Sequence, residues 1–280
     1  MNTIYRSNIY SEFFLILYIL GSTLLSVTYT TVGMIPPPWL RSCLLYVLLF
    51  GIPSFAFMRY CGMTPRSIGL VRPASTRSVI YTLLMAFLIQ APLMLLSSIS
   101  ELLFHNYLED SISSMLAQPL PLLLLGTAVC PAIFEEITCR GIFLSGYRRT
   151  RPLTSALLCG VFFGILHLNM QQWVYAFFFG FVIALWMLAV DSLWLPMLAH
   201  FIINGTQLIC SYYGIALFPN LLTVVLANLI SLPCIYLMLQ DLWRRRQISD
   251  EPETFEPLTR PLMKPFLITI VIFLVTLLLL

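Results

Sequence analysis

Charge is what this chain has least of. Only 10% of its 280 residues are Asp, Glu, Lys or Arg, 59% are hydrophobic, and the mean hydropathy is +0.91, which excludes an ordinary soluble domain. Cysteines at metal-type spacing are also missing. The seven present are an odd number, scattered mostly through apolar stretches without a CxxC pair, so neither a disulfide framework nor a structural zinc site is indicated. The HExxH spacing of zincins is absent. A net charge of +3 is modest, and the arginines lie in short connections rather than in an aromatic-flanked patch, which argues against nucleic acid as a partner. No small-residue cleavage site clearly follows the first apolar stretch, and only Arg6 precedes it, so that stretch reads as a retained span. Neither an internal repeat nor a soluble domain is visible.

What is present is a series of apolar windows of about 16–24 residues, each the length of a membrane-spanning helix. They run from Phe13 to Val32, Trp39 to Phe57, Val79 to Ile99, Leu120 to Leu144, Leu153 to Leu168, Gln172 to Val190, Leu193 to Tyr212 and Phe218 to Leu239. The expected fold is an all-α, multi-pass transmembrane bundle of eight core helices. A candidate ninth, Phe266 to Leu280, barely crosses the hydrocarbon at ~1.5 Å per residue. The chain divides into a helical domain over 1–243 with its catalytic core at 119–212, a polar, proline-containing linker over 244–265, and the C-terminal candidate helix over 266–280.

Basic residues collect in every second connection: Arg59, Arg66, Arg72 and Arg77, then Arg148, Arg149 and Arg151, then Arg244 to Arg246. By the positive-inside rule these loops face the cytoplasm of a cell membrane, with the N-terminus inside, and the cytoplasm is the favoured side for a cavity to open. Glu101, Glu109 and Asp110 follow the third span and agree with an outer loop, where His105 reads as solvated.

Against this background, Glu135, Glu136 and Arg140 inside the fourth span need a reason. An ionisable group at the bilayer centre costs roughly 2.5–3.5 kcal/mol on insertion scales, is normally turned inward and paired, and usually marks function. Glu136 and Arg140 are four apart, acid before base, and can neutralise one another. Glu135 has no such helical partner. Pro131 removes a helical hydrogen bond just before the pair and frees backbone. The fifth span carries Gly160 and Gly164, which allow close helix approach, and then His167; the seventh places His200 and Asn204 on one face. Counted at ~1.5 Å per residue from the basic-side anchors, Glu135 lies roughly 20 Å in, His167 roughly 24 Å, His200 roughly 14 Å and Asn204 roughly 20 Å. The four share one layer.

The chemistry these groups allow is hydrolysis by an activated water. A carboxylate in an apolar cavity is a stronger base, and Glu135 with His167 can take the water's proton. His200 and Asn204 are donor types that stabilise an oxyanion. The leading expectation is an intramembrane endopeptidase acting on a membrane-associated peptide or protein without a required cofactor. A divalent metal such as zinc, held by Glu135, His167 and His200, remains open. So do a non-catalytic immunity or regulatory protein that keeps the fold, a proton-coupled carrier, Cys139 as nucleophile, and a purely structural Glu136–Arg140 pair.

At these residues the sequence resembles a known family. FEEITCR at Phe134 to Arg140, FGILH at Phe163 to His167 and HFIIN at His200 to Asn204 are similar, in order, to the three motifs of the CPBP family, the CAAX protease and bacteriocin-processing intramembrane proteases. The match covers about 70 residues. The resemblance implies an eight-helix core, a water-filled cavity and peptide-bond cleavage, with Glu135 and His167 activating water and His200 and Asn204 on the oxyanion side. Eukaryotic relatives trim prenylated CAAX proteins, whereas bacterial ones are associated with peptide maturation, bacteriocin immunity and signalling. Compact loops and the TPRSIGLVRP stretch before the third span resemble the bacterial members.

Overall fold

The computed structural model describes residues 2–104, 115–246 and 254–279. His105, Glu109 and Asp110 therefore lie outside the described residues. Nine helical segments follow one another in this part of the chain: α1 Thr3–Val32, α2 Pro38–Tyr60, α3 Thr76–Leu103, α4 Leu120–Tyr147, α5 Pro152–Ile165, α6 Met170–Val190, α7 Trp194–Tyr213, α8 Leu221–Arg245 and α9 Arg260–Leu279. No strand occurs among the described residues. A multi-pass helical bundle is the result, because in hydrocarbon a helix satisfies its own backbone polar groups.

Seven of these helices are long and apolar enough to cross a membrane; α5 and α7 are not among them. The reasons differ. α5 has only 14 residues, roughly 21 Å at ~1.5 Å each, and stops short of a full crossing. α7 has 20 residues but carries His200, Asn204, Thr206 and Gln207, so its low hydropathy reflects the groups it presents to its neighbours.

The C-terminal segment departs from the sequence expectation. α8 extends to Arg245 and α9 begins at Arg260, so α9 has 20 residues rather than the shorter stretch expected from Phe266, and the linker between them is correspondingly reduced. α9 packs on α1. There Ser11 Oγ meets Thr269 Oγ1 at 3.2 Å and the Asn8 amide donates to the Leu262 carbonyl at 2.8 Å, polar links of the kind that hold helices together in lipid. Phe14, Phe50, Phe143, Phe162 and Phe266 are buried and join α1, α2, α4, α5 and α9 through one aromatic core.

One end of the bundle is rich in arginine. Asp191, closing α6 with φ 50°, takes both Arg72 and Arg148. Arg77 pairs with Asp241 at 3.0 Å, and Arg149 with Glu256 at 3.6 Å. Burial, with Arg72 and Arg246 nearby, pushes the Arg148 guanidinium down to about 10, so it stays charged at neutral pH. These contacts gather the basic connections, separate in sequence, on a single side.

α5 and α6 pack closely through glycines. A Cβ at Gly160 would stand 2.9 Å from the Phe177 carbonyl oxygen and 3.0 Å from the Phe181 nitrogen, and one at Gly180 would stand 2.8 Å from Phe163 Cβ. Backbone cannot step aside as a side-chain tip can. Gly160→Ala is expected to force the pair apart and cost about 1–3 kcal/mol. Gly205→Ala, whose Cβ would meet only Leu124 at 3.7 Å, should stay within about 0.5 kcal/mol. Thermal unfolding of the two purified variants in detergent checks the difference; equal midpoints would contradict it.

Candidate active site

Pro131 sets the site's backbone. Lacking an N–H, it cannot bond the carbonyl four residues earlier, that of Thr127. The helix responds by widening into a π turn over Leu125–Val129, before the short α-helical stretch Cys130–Glu136 that carries the glutamates. The freed Thr127 carbonyl accepts from Asn204 Nδ2 at 3.3 Å. One N–H of the Asn204 amide is thus engaged, and the amide group has two. A second π turn, Ile137–Phe143, follows the glutamates, and a third, Tyr46–Gly51, lies opposite on α2. Such turns rotate the side chains that follow and recur at functional sites.

Glu136 and Arg140 are both completely buried, with Arg140 Nη1 donating to Glu136 Oε1 at 2.9 Å. The guanidinium lies 4.5 Å from the centre of the Phe163 ring and 5.7 Å from that of Phe179, and its Nη2 donates to the Gly180 carbonyl at 3.3 Å. The aromatic faces and the carbonyl replace water around the charge. The same Glu136 Oε1 is 2.8 Å from His200 Nδ1. Glu136 is therefore more than half of a scaffold pair: it orients the histidine of α7, as a carboxylate orients an imidazole in catalytic triads.

Glu135, 8% exposed, faces elsewhere. Its Oε1 accepts from the Tyr46 hydroxyl at 2.6 Å, and its Oε2 lies 3.9 Å from His200 Nε2. The expectation that Glu135 lacks a partner holds along its own helix; the partner comes from α2. His167 sits in the turn after α5, its Nδ1 3.0 Å from the Phe163 carbonyl. A proton on Nδ1 satisfies that carbonyl and leaves Nε2 as an acceptor. Leu168 follows with φ 50°, a strained conformation for a bulky residue, and Asn169 caps α6 by accepting from Gln171 and Gln172. This tight reversal fixes where His167 stands.

Glu135, His167, His200 and Asn204 all line one cavity of about 400 Å³, together with Tyr46 and Gln172. Its place in the bundle follows from the directions of the helices. His167 and Gln172 lie at the α5–α6 turn, remote from Asp191, whereas Glu135 and His200 lie near the middle of α4 and α7. The cavity thus extends from the middle of the bundle toward the end opposite the arginines, because α5 begins beside them at Pro152 and carries His167 away. Cys139 is buried and outside the cavity wall, with no access for a nucleophile's role. Among the described residues no group of three or more His, Cys, Asp or Glu is disposed to hold a metal ion.

Tyr46 and Phe179 have no counterpart in the sequence expectations. For Tyr46 the trace was a phenol among apolar neighbours, since a buried tyrosine hydroxyl seeks a partner. Phe179 was indistinguishable from lipid-facing phenylalanines.

Within this multi-pass bundle a carboxylate, two imidazoles and an amide thus surround one recessed cavity. Residues 116–206 match the family model of the type II CAAX prenyl endopeptidases, Rce1-like. The chain is 28% identical over 88 residues to a Bacillus subtilis (strain 168) protein named "Putative membrane peptidase YdiL". That alignment covers 31% of this chain and 36% of the relative, so the chain spans about a third of the length of the protein it matches. No solved structure matches it.

The buried pair generates a stability prediction. Removing one member leaves an uncompensated charge in the core, so Arg140→Met is expected to destabilise the fold by about 3–5 kcal/mol. Adding Glu136→Gln to it should restore part of that loss. Unfolding midpoints of the single and double variants in detergent measure both, and a double variant no more stable than the single would show that charge burial is not the cause.

Proposed function

We propose that this protein is an intramembrane endopeptidase that hydrolyses a peptide bond in a membrane-associated peptide or protein, with water activated by Glu135 and His167. The reading is supported above all by one observation: four side chains from α4, α7 and the α5–α6 turn, spread over about 70 residues of sequence, converge on a single cavity. The match of residues 116–206 to a CAAX prenyl endopeptidase family model supports the reaction class.

In this mechanism the substrate carbonyl enters the cavity with a water held between the Glu135 carboxylate and His167 Nε2. As the water oxygen bonds to the carbonyl carbon, its proton passes to Glu135. Negative charge grows on the carbonyl oxygen, and the remaining Asn204 N–H donates to it. His200 Nε2 joins when the ring carries both protons, its Nδ1–H being held by Glu136. The tetrahedral adduct collapses, the C–N bond breaks, and the stored proton moves to the leaving amine. Tyr46 keeps the Glu135 carboxylate turned toward this point. No step passes through a metal, and a chelator should leave turnover unchanged.

Two outcomes follow. Glu135→Gln and His167→Ala should each lower cleavage by roughly 10²–10⁴-fold, read first as the same peptides accumulating in membranes of cells carrying either variant. Cleavage of those peptides in proteoliposomes, by wild type and not by the variants, then confirms the assignment. An unchanged peptide profile together with full turnover would sink it. Tyr46→Phe removes one hydrogen bond to a charged acceptor, about 1.5–3 kcal/mol. It should lower kcat by about one to two orders of magnitude with little change in KM; a change in KM alone would assign Tyr46 to substrate binding.

A further inference from the structure

A second cavity of about 290 Å³ adjoins the first. The two share Leu93, Tyr175 and Gln207, and the second continues past Cys210 and Ser211 to Ile215, Leu217 and Phe218, beyond the C-terminal end of α7 at Tyr213. Its wall mixes apolar side chains with Ser97, Gln207 and Ser211, suited to an extended peptide: apolar residues meet Leu and Phe, backbone amides meet hydroxyl and amide groups. From Asn204 to Ser211 the helix rises roughly 10 Å, room for about three extended residues.

The charge distribution says which face this passage reaches. Of the 15 Lys and Arg, all but Arg41 and Arg140 lie at the opposite end of the bundle, in the connections joined by Asp191, Asp241 and Glu256 or in the adjoining helix ends. Such asymmetry orients helical membrane proteins with the basic end in the cytoplasm. Counted back from Asp191 along α6, Gln172 in the wall of the first cavity is roughly 28 Å away, nearly the whole ~30 Å of hydrocarbon.

We infer that substrate reaches Glu135 from the non-cytoplasmic face of the membrane, through the cavity between α3 and α7. The class of substrate is a peptide segment exposed at, or anchored in, the outer leaflet, whose apolar residues on one side of the scissile bond occupy the second cavity. The nature of the occupant rests on the endopeptidase reading; the sidedness does not.

Native and introduced thiols test the route. Cys61 lies at the arginine-rich end, just after α2, and Cys210 lines the second cavity. Ala216, exposed beyond α7, accepts a cysteine at the proposed mouth. Right-side-out and inverted membrane vesicles carrying full-length A216C are treated with a membrane-impermeant maleimide, and labelled positions are mapped by mass spectrometry with C61S as control. Residue 216 should label only in right-side-out vesicles and Cys61 only in inverted ones; the reverse pattern overturns the proposal. A small charged methanethiosulfonate reagent should modify Cys210 from the right-side-out face, a reaction lost in C210S. Modification from the inverted face alone, or none from either, overturns the route through the second cavity. Labelling is read without proteolysis, so loss of the catalytic reading would leave these outcomes standing.

Discussion

Glu136 is the point on which the rest of the site hangs. Its carboxylate is completely buried, one oxygen shared between the Arg140 guanidinium at 2.9 Å and His200 Nδ1 at 2.8 Å. A buried charge is tolerated only when its partners are close and well directed, and here those partners draw in four helices. Arg140 is on α4 itself; Phe163 covers it from α5, Phe179 and Gly180 from α6, and His200 answers from α7. The ion pair therefore sets the spacing of the helices that make the cavity, and the glycine contacts between α5 and α6 exist to let that spacing be reached.

Adjacent residues on a helix point about 100° apart, and the neighbouring glutamates use this geometry to separate two tasks. Glu136 faces the protein interior and orients; Glu135 faces the cavity, held by Tyr46. Helix irregularity supports the separation. Pro131 and the π turns on either side of the glutamates shift the register of α4, so the Thr127 carbonyl becomes available to Asn204 and the two helices close on one another. The strain at Leu168 belongs to the same economy of positions, since it turns the chain just where His167 must remain in the cavity wall.

Much of this was legible in the residues. Length and apolarity announced a helical bundle, the alternation of arginine-rich connections foretold that they would meet on one side, and charges within a span marked α4 as a helix whose polar groups turn inward. The glycines of α5 announced a close neighbour. Other features left little trace. α9 is longer than its apolar run because the helix begins in the polar, proline-containing stretch at Arg260, where hydropathy signals an end. Tyr46 and Phe179 are chemically ordinary in such a composition, and only the packing of α2 and α6 shows that one holds a carboxylate and the other covers a guanidinium.

The sequence by itself determined the periodic and compositional features: how many helices form, which end of each is basic, and which few polar groups must turn inward because hydrocarbon cannot solvate them. Tertiary structure alone decided the pairings across helices. Glu136 binds both Arg140 and His200 because rotation and depth of α4 and α7 are set by packing, which no spacing within one helix encodes. The same holds for the direction in which the cavity lies. Local sequence placed the arginines at one end, but the direction of α5, the tight turn after it and the passage along α7 extend the cavity toward the other.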